Sequence, residues 1–158
     1  MIICDSREKK NSHILNCFDK HNIPYKVQKM AVADYMIEGK GQIVIDRKQN
    51  LEEVAKNLVT TDKRRFLNEI RLGYAKKMKI VVLVEHSKTI KQLRDVPDWS
   101  VTWTDKSNKQ YVIAGRKLLD EMDRVATAYG VEWQFCTKAE TPRKILEILG
   151  YKGSDENA

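Results

Sequence analysis

Cysteine is scarce in this chain of 158 residues: there are three, Cys4, Cys17 and Cys136, an odd set with no Cys-x-x-Cys spacing. That pattern argues against a disulfide framework or a structural zinc site and leaves buried thiols as the expectation. Histidine is equally sparse. His13, His21 and His86 lack ligand-like spacing and are assigned no role. No apolar run reaches the length of a bilayer, so no membrane association is expected. The start, Met-Ile-Ile-Cys-Asp, has no basic stretch, apolar run and small-residue cleavage site in succession, so nothing argues for secretion and a cytoplasmic location is expected. Repeats and low-complexity segments are also missing.

The length suits one compact domain with a central sheet and covering helices. Hydrophobic residues at 42% and charged residues at 32% give the balance of a soluble globular protein. Net charge is +7, and the excess is local: residues 56 to 79 hold eight basic residues, Lys63, Arg64, Arg65 and Arg71 among them, against Asp62 and Glu69. Such a cluster favours a polyanion through counterion release. A solvated helix face is the alternative.

Apolar Ile2-Ile3-Cys4, ending in Asp5-Ser6-Arg7-Glu8, reads as a buried strand with charge at its carboxyl end. A helix is expected from Asn11 to His21, broken by Pro24. Extended structure then begins at Tyr25-Lys26-Val27, leads to Ala33-Asp34-Tyr35-Met36-Ile37, turns at Gly39 and Gly41, and returns as Ile43 to Lys48, a hairpin or meander. Asn50 with Glu53 three residues on caps a helix to about Leu58. A second helix, Asp62 to Met78, places Phe66, Ile70, Tyr74 and Met78 on one face. Ile80 to Val84 reads as a strand buried on both sides, ending at Glu85. Residues 87 to 110 read as an irregular excursion, either a substrate-facing segment or a loop anchored by Trp99 and Trp103. A helix from Tyr111 to Tyr129, a strand from Val131 to Phe135 and a helix begun by Thr141-Pro142 and stopped at Gly150 follow. The polar tail, 151 to 158, is expected to fray.

Alternation along a strand puts Val44, Asp46 and Lys48 on one side and Ile45 and Arg47 on the other. A carboxylate beside an ammonium is what phosphodiester hydrolysis needs: one holds a divalent cation, and the other orients water and counters charge on the phosphorane. Asp34 supplies a second carboxylate if its segment pairs with that of Asp46. Taken alone, Asp-x-Lys after an apolar run marks a solvated strand end. Here charges recur at strand ends, where burial without function is costly.

The ordered set Asp5-Ser6-Arg7-Glu8, Ala33-Asp34-Tyr35, Asp46-Arg47-Lys48 with Glu52 four residues later, Arg65-Phe66, and an apolar strand ending at Glu85 resembles the nuclease domain of the XPF family. That family's signature is Gly-Asp-Tyr followed by Glu-Arg-Lys-x-x-x-Asp. Ala33 replaces its Gly, Asp46 its Glu, and Glu52 its Asp; the acids are kept with their lengths exchanged. The resemblance spans residues 1 to 150 in element order and implies an α/β restriction-endonuclease-like fold, with a mixed central sheet flanked by helices.

The resemblance also implies a site. Asp34 and Asp46 would bind Mg²⁺ or Mn²⁺, with Asp5 joining directly or through water. Lys48 would be the catalytic lysine, Arg7 and Arg47 would contact phosphate or brace the acids, and Glu8 and Glu52 would support them. Arg65 would reach the site from the basic helix, although it could equally pair with Glu69 at the surface; charge alone adds Lys63, Arg64 and Arg71 of the same cluster as DNA contacts. The expected activity is endonucleolytic cleavage of branched DNA (flap, fork or junction) in repair or recombination. Relatives usually carry a tandem helix-hairpin-helix module after the nuclease domain, and this sequence is expected to lack one; an accessory DNA-binding protein, dimerisation or nothing at all would take its place, and a homodimer is expected because the family's nuclease domains pair. Leu118, Leu119, Met122 and Val125 suit a dimer interface or packing on the sheet. The rivals are a catalytically silent DNA-binding subunit and a nuclease acting on RNA or single strands.

Overall fold

The computed structural model of the chain describes residues 1–40, 42–60 and 62–153. Its centre is a six-stranded mixed sheet built from β1 (Ile2–Asp5), β2 (Tyr25–Gln28), β3 (Tyr35–Ile37), β4 (Ile43–Lys48), β5 (Lys79–Glu85) and β8 (Glu132–Cys136), in the order β2-β1-β3-β4-β5-β8. Only β3 runs against its neighbours. The carboxyl ends of β1, β4 and β5 therefore share one edge of the sheet, and residue 34, entering β3, lies at that same edge.

Strand alternation sorts side chains into two cores. Ile3, Val44, Val82 and Val84 pack with α2 (Leu51–Val59), α3 (Lys63–Ala75) and α4 (Gly115–Tyr129), while Ile2, Cys4, Ile45 and Leu83 pack with α1 (Ser12–Lys20) and α5 (Thr141–Leu149). The result is a helix-sheet-helix sandwich. The parity extends past the apolar stretch of β4, so Asp46 and Lys48 fall on the α2–α3 side and Arg47 on the α1 side. Burial of both sheet faces explains the unbroken apolar run of β5.

Local chemistry sets the helix ends. Asn50 accepts the N–H of Glu53 at 2.8 Å and starts α2. Gly130 and Gly150 take left-handed conformations, with φ of 67° and 65°, and stop α4 and α5.

Several expectations change. The hairpin is β3 and β4 alone, with Tyr35 opposite Ile45, whereas β2 lies beyond β1 as a parallel edge strand. On α3, Phe66, Ile70 and Gly73 face inward, whereas Tyr74 is 58% exposed. The helix ends at Ala75, so Met78 lies beyond it. The segment after β5 is ordered as a 3₁₀ turn, Leu93–Asp98, and a hairpin of β6 (Ser100–Thr104) and β7 (Gln110–Ala114). β7 takes the residues expected to open α4. Gly115 makes that junction possible: a Cβ there would sit 2.0 Å from the carbonyl oxygen of Val96. Trp99 and Trp103 pack against the body's core and anchor the segment, and Trp103 stacks on Tyr111 of the paired strand with ring centroids 5.2 Å apart.

Leu118, Met122 and Val125 are buried in the chain's own core, and Leu119 packs beside them. Tyr151 is half-buried against the α1–α5 layer rather than frayed. The rest of the expected tail, from 154, and Gly41 of the expected turn lie outside the described residues. No helix among the described residues is long and apolar enough to cross a membrane.

Candidate active site

A cleft of about 850 Å³ opens at the sheet edge where β1, β4 and residue 34 meet, walled by α3 and the start of α2. Asp34 and Asp46 form its floor, near enough that the charge of Asp46 bears on the Asp34 carboxyl. The Asp34 backbone is fixed on both sides: its N–H donates to the Ile45 carbonyl at 2.8 Å, and its carbonyl accepts the Asp5 N–H at 2.7 Å. Its Oδ2 accepts the N–H of Arg47 at 2.8 Å. Burial and the facing charge of Asp46 push the pKa of Asp34 well above the usual carboxyl range.

Lys48 Nζ lies 3.3 Å from Asp46 Oδ2 and 4.7 Å from the centroid of the Phe66 ring. Burial works against its charge, but Asp46, Glu53 and Asp34 outweigh that cost and hold the ammonium above its ordinary pKa. It is therefore a standing cation rather than a base.

The other expected residues divide. Asp5 is committed: Oδ1 accepts the Met30 N–H at 2.7 Å and Oδ2 the Arg7 Nε at 3.0 Å. Arg7 also donates to the Met30 carbonyl at 2.8 Å, tying β1 to the loop that carries Asp34. Arg47 turns to the opposite face. Its guanidinium, 1% exposed, meets Glu8 at 2.7 Å, Glu85 at 2.5 Å and the Lys9 carbonyl at 2.7 Å. Tyr35 donates to Glu8 at 2.7 Å, and His13 lies 3.1 Å from Glu85. Although desolvation opposes its charge, Glu8 and Glu85 raise the pKa of Arg47, and this cross-braced cation joins the ends of β1, β4 and β5.

Arg65 lines the cleft rather than pairing with Glu69. Arg64 is exposed beside it, whereas Lys63 is held by Glu121 at 3.1 Å and Arg71 by the Tyr129 hydroxyl at 2.9 Å. Glu52 does not line the cleft and pairs with Lys56 at 3.1 Å. Its neighbour Glu53 takes the cleft position and accepts the Gln49 N–H at 2.8 Å.

Glu69 is, with Glu53, a cleft acid that sequence reasoning missed. It enters the cleft from α3 and accepts the N–H of Ala33 at 2.8 Å. Burial, then the charge of Asp46, raises its pKa. The available signal was an acid standing alone in a basic helix, one turn from Phe66 and adjacent to Ile70.

The edge thus presents a carboxylate pair, a permanent ammonium and an arginine at the rim. The ERCC4 domain matches residues 4–149, nearly the whole chain. This chain belongs to the ERCC4 domain family. Among solved structures, XPF from Aeropyrum pernix has a similar fold, with a TM-score of 0.66 at 15% identity, covering 99% of this chain and 68% of that one. The same protein in complex with DNA aligns with a TM-score of 0.64 at 14% identity, covering 94% of this chain and 62% of that one. No curated protein matches the sequence.

The donor set of this ERCC4 domain fits a hard divalent cation. Burial and the neighbouring Asp46 charge oppose ionisation of Asp34, and a cation held between the two side chains would remove that cost. No three His, Cys, Asp or Glu side chains converge as a metal-binding group among the described residues. A pair suffices for Mg²⁺, which keeps several waters and takes substrate phosphate oxygens as further ligands.

Proposed function

We propose that this ERCC4 domain is a divalent-metal-dependent endonuclease that hydrolyses phosphodiester bonds in branched DNA. Family membership supports the coarser statement, a nuclease-type role in DNA processing. The observation that carries the finer one is that Asp34 and Asp46 line one open cleft, with the Lys48 ammonium 3.3 Å from Asp46.

Asp34 and Asp46 would hold Mg²⁺ or Mn²⁺, which when bound polarises a phosphoryl oxygen and lowers the pKa of water. Asp5, its oxygens engaged by Met30 and Arg7, would act outside the direct ligand set. Lys48 orients the attacking water and faces the negative charge that builds on phosphorus, a task for a residue that keeps its proton. Arg65, with Lys9 across the cleft, meets phosphates flanking the scissile bond. Arg7 and Arg47 act as braces, and Glu8 holds Arg47.

Branched DNA is the proposed substrate because an open cleft at a sheet edge beside a basic helix leaves room for strands that diverge. That the similar Aeropyrum pernix protein was solved with DNA supports a DNA partner. A homodimer or an accessory DNA-binding protein would engage the second arm.

The test is cleavage of end-labelled linear duplex, single strand, flap and four-way junction by the purified protein with Mg²⁺ or Mn²⁺, beside Asp46→Ala and Lys48→Ala. Branch-selective cutting that falls at least about a hundredfold in both variants while DNA binding persists is the expected result. Binding without cutting under either metal would make the chain a silent subunit, and cutting of RNA or single strands alone would reassign the substrate.

A further inference from the structure

Ala33 has a φ of 64°, the left-handed region in which a Cβ crowds the following carbonyl. It is 2% exposed, so its N–H has no water to turn to. The acceptor comes from a distant element: Glu69 of α3, at 2.8 Å. The next residue is Asp34, whose own N–H and carbonyl are fixed by β4 and β1. The turn at Ala33 therefore decides where the backbone delivers Asp34 to the cleft. Arg65, one turn earlier on α3, lines the same cleft as Glu69.

We propose that Glu69 is a positioning residue: from α3 it clamps the left-handed Ala33 turn, so that the helix facing the DNA backbone also sets the position of the Asp34 carboxylate. The catalytic consequence rests on the nuclease reading above; the clamp itself does not. A clamp needs an acceptor oxygen, which glutamine keeps. A third carboxylate around the cation needs charge, which glutamine lacks.

The full chain is compared as wild type, Glu69→Gln, Glu69→Ala, Ala33→Gly and the double variant Glu69→Ala/Ala33→Gly. Three quantities are read: exchange of the residue-33 amide by NMR without metal, Mn²⁺ affinity, and kcat and KM for cleavage. Glu69→Ala should lower amide protection by about tenfold or more, while Glu69→Gln stays within about threefold of wild type. Mn²⁺ affinity and kcat should fall about tenfold in Glu69→Ala, with KM little changed. Glycine enters the left-handed region at no steric cost, so the double variant should regain about threefold or more over Glu69→Ala.

Unchanged amide protection in Glu69→Ala would show that the turn stands alone and would overturn the clamp. Loss of Mn²⁺ affinity in Glu69→Gln equal to that in Glu69→Ala would overturn it in favour of a charged role at the cation. Purely additive effects in the double variant would overturn the link to Ala33. Should wild type neither cut nor bind Mn²⁺, the nuclease reading fails while the amide exchange still decides the clamp.

Discussion

Asp34 sits where burial and the neighbouring Asp46 carboxylate both resist its ionisation, and its pKa is raised accordingly. The consequence for stability has a definite sign. An acid whose folded-state pKa exceeds its unfolded value binds more protons when folded, so stability is fully present below the unfolded value and is lost as pH rises through the folded one. Glu69, raised by burial and Asp46, adds in the same direction. Metal-free protein should therefore grow less stable from the ordinary carboxyl range upward through the elevated pKa of Asp34. Asp34→Asn keeps an acceptor for the Arg47 N–H and removes the charge, so it should flatten that decline. At neutral pH its unfolding midpoint should rise by roughly 2–4 °C for each kcal/mol released. Thermal unfolding in chelator across the acid-to-neutral range reads this directly. Added Mn²⁺ should reverse the ranking, stabilising wild type and leaving Asp34→Asn unmoved; a wild-type profile flat with pH would mean that the pair is not strained.

On α3 the four cations expected to meet DNA are divided by what the fold does with them. Lys63 and Arg71 are engaged with Glu121 and Tyr129 of α4, whereas Arg64 and Arg65 are exposed and make no hydrogen bond or ion pair among the described residues. Arg65→Ala should thus weaken DNA binding and reduce the salt slope by about one, while Lys63→Ala and Arg71→Ala leave both within about twofold of wild type. Fluorescence anisotropy over a NaCl series separates them; equal losses in all three would mean that the α4 contacts yield to DNA. At this scale much was legible in the sequence. Period-two alternation put Asp46 with Lys48 and apart from Arg47, because that rule is local to one strand. Capping by Asn50 and the glycines at 130 and 150 were legible for the same reason. The β6–β7 hairpin was not: its strands are short and half-exposed, and Tyr111-Val112-Ile113 runs into α4 with no breaker but Gly115. Tyr74 was misplaced because the inward stripe of α3 turns to Gly73 in its last turn. Glu69 and Glu53 were missed because their roles depend on partners in other elements, Ala33 and Lys48, and no spacing rule encodes a contact between elements.

Charge is unevenly placed over the whole molecule. Net charge is +7, yet six acids and five bases line the cleft, so the surroundings attract DNA while the floor does not. Three parallel strands ending in Asp5, Asp46–Lys48 and Glu85 produce this, since carboxyl ends gathered at one edge gather whatever charges terminate them. In chelator, DNA affinity should fall linearly on a logarithmic salt scale, governed by the basic surface. A divalent cation held by Asp34 and Asp46 would convert the floor from repelling to attracting phosphate. Ca²⁺, which takes oxygen ligands, should then tighten binding of a flap by about tenfold, equivalent to roughly 1.4 kcal/mol. In Asp34→Ala or Asp46→Ala the gain should shrink below about twofold, with the salt slope in chelator unchanged. Anisotropy titrations with and without Ca²⁺ at fixed ionic strength make the comparison. If Ca²⁺ tightened binding equally in the variants, the ion would be acting on the DNA or elsewhere on the surface, and the carboxylate pair would lose its claim to the cation.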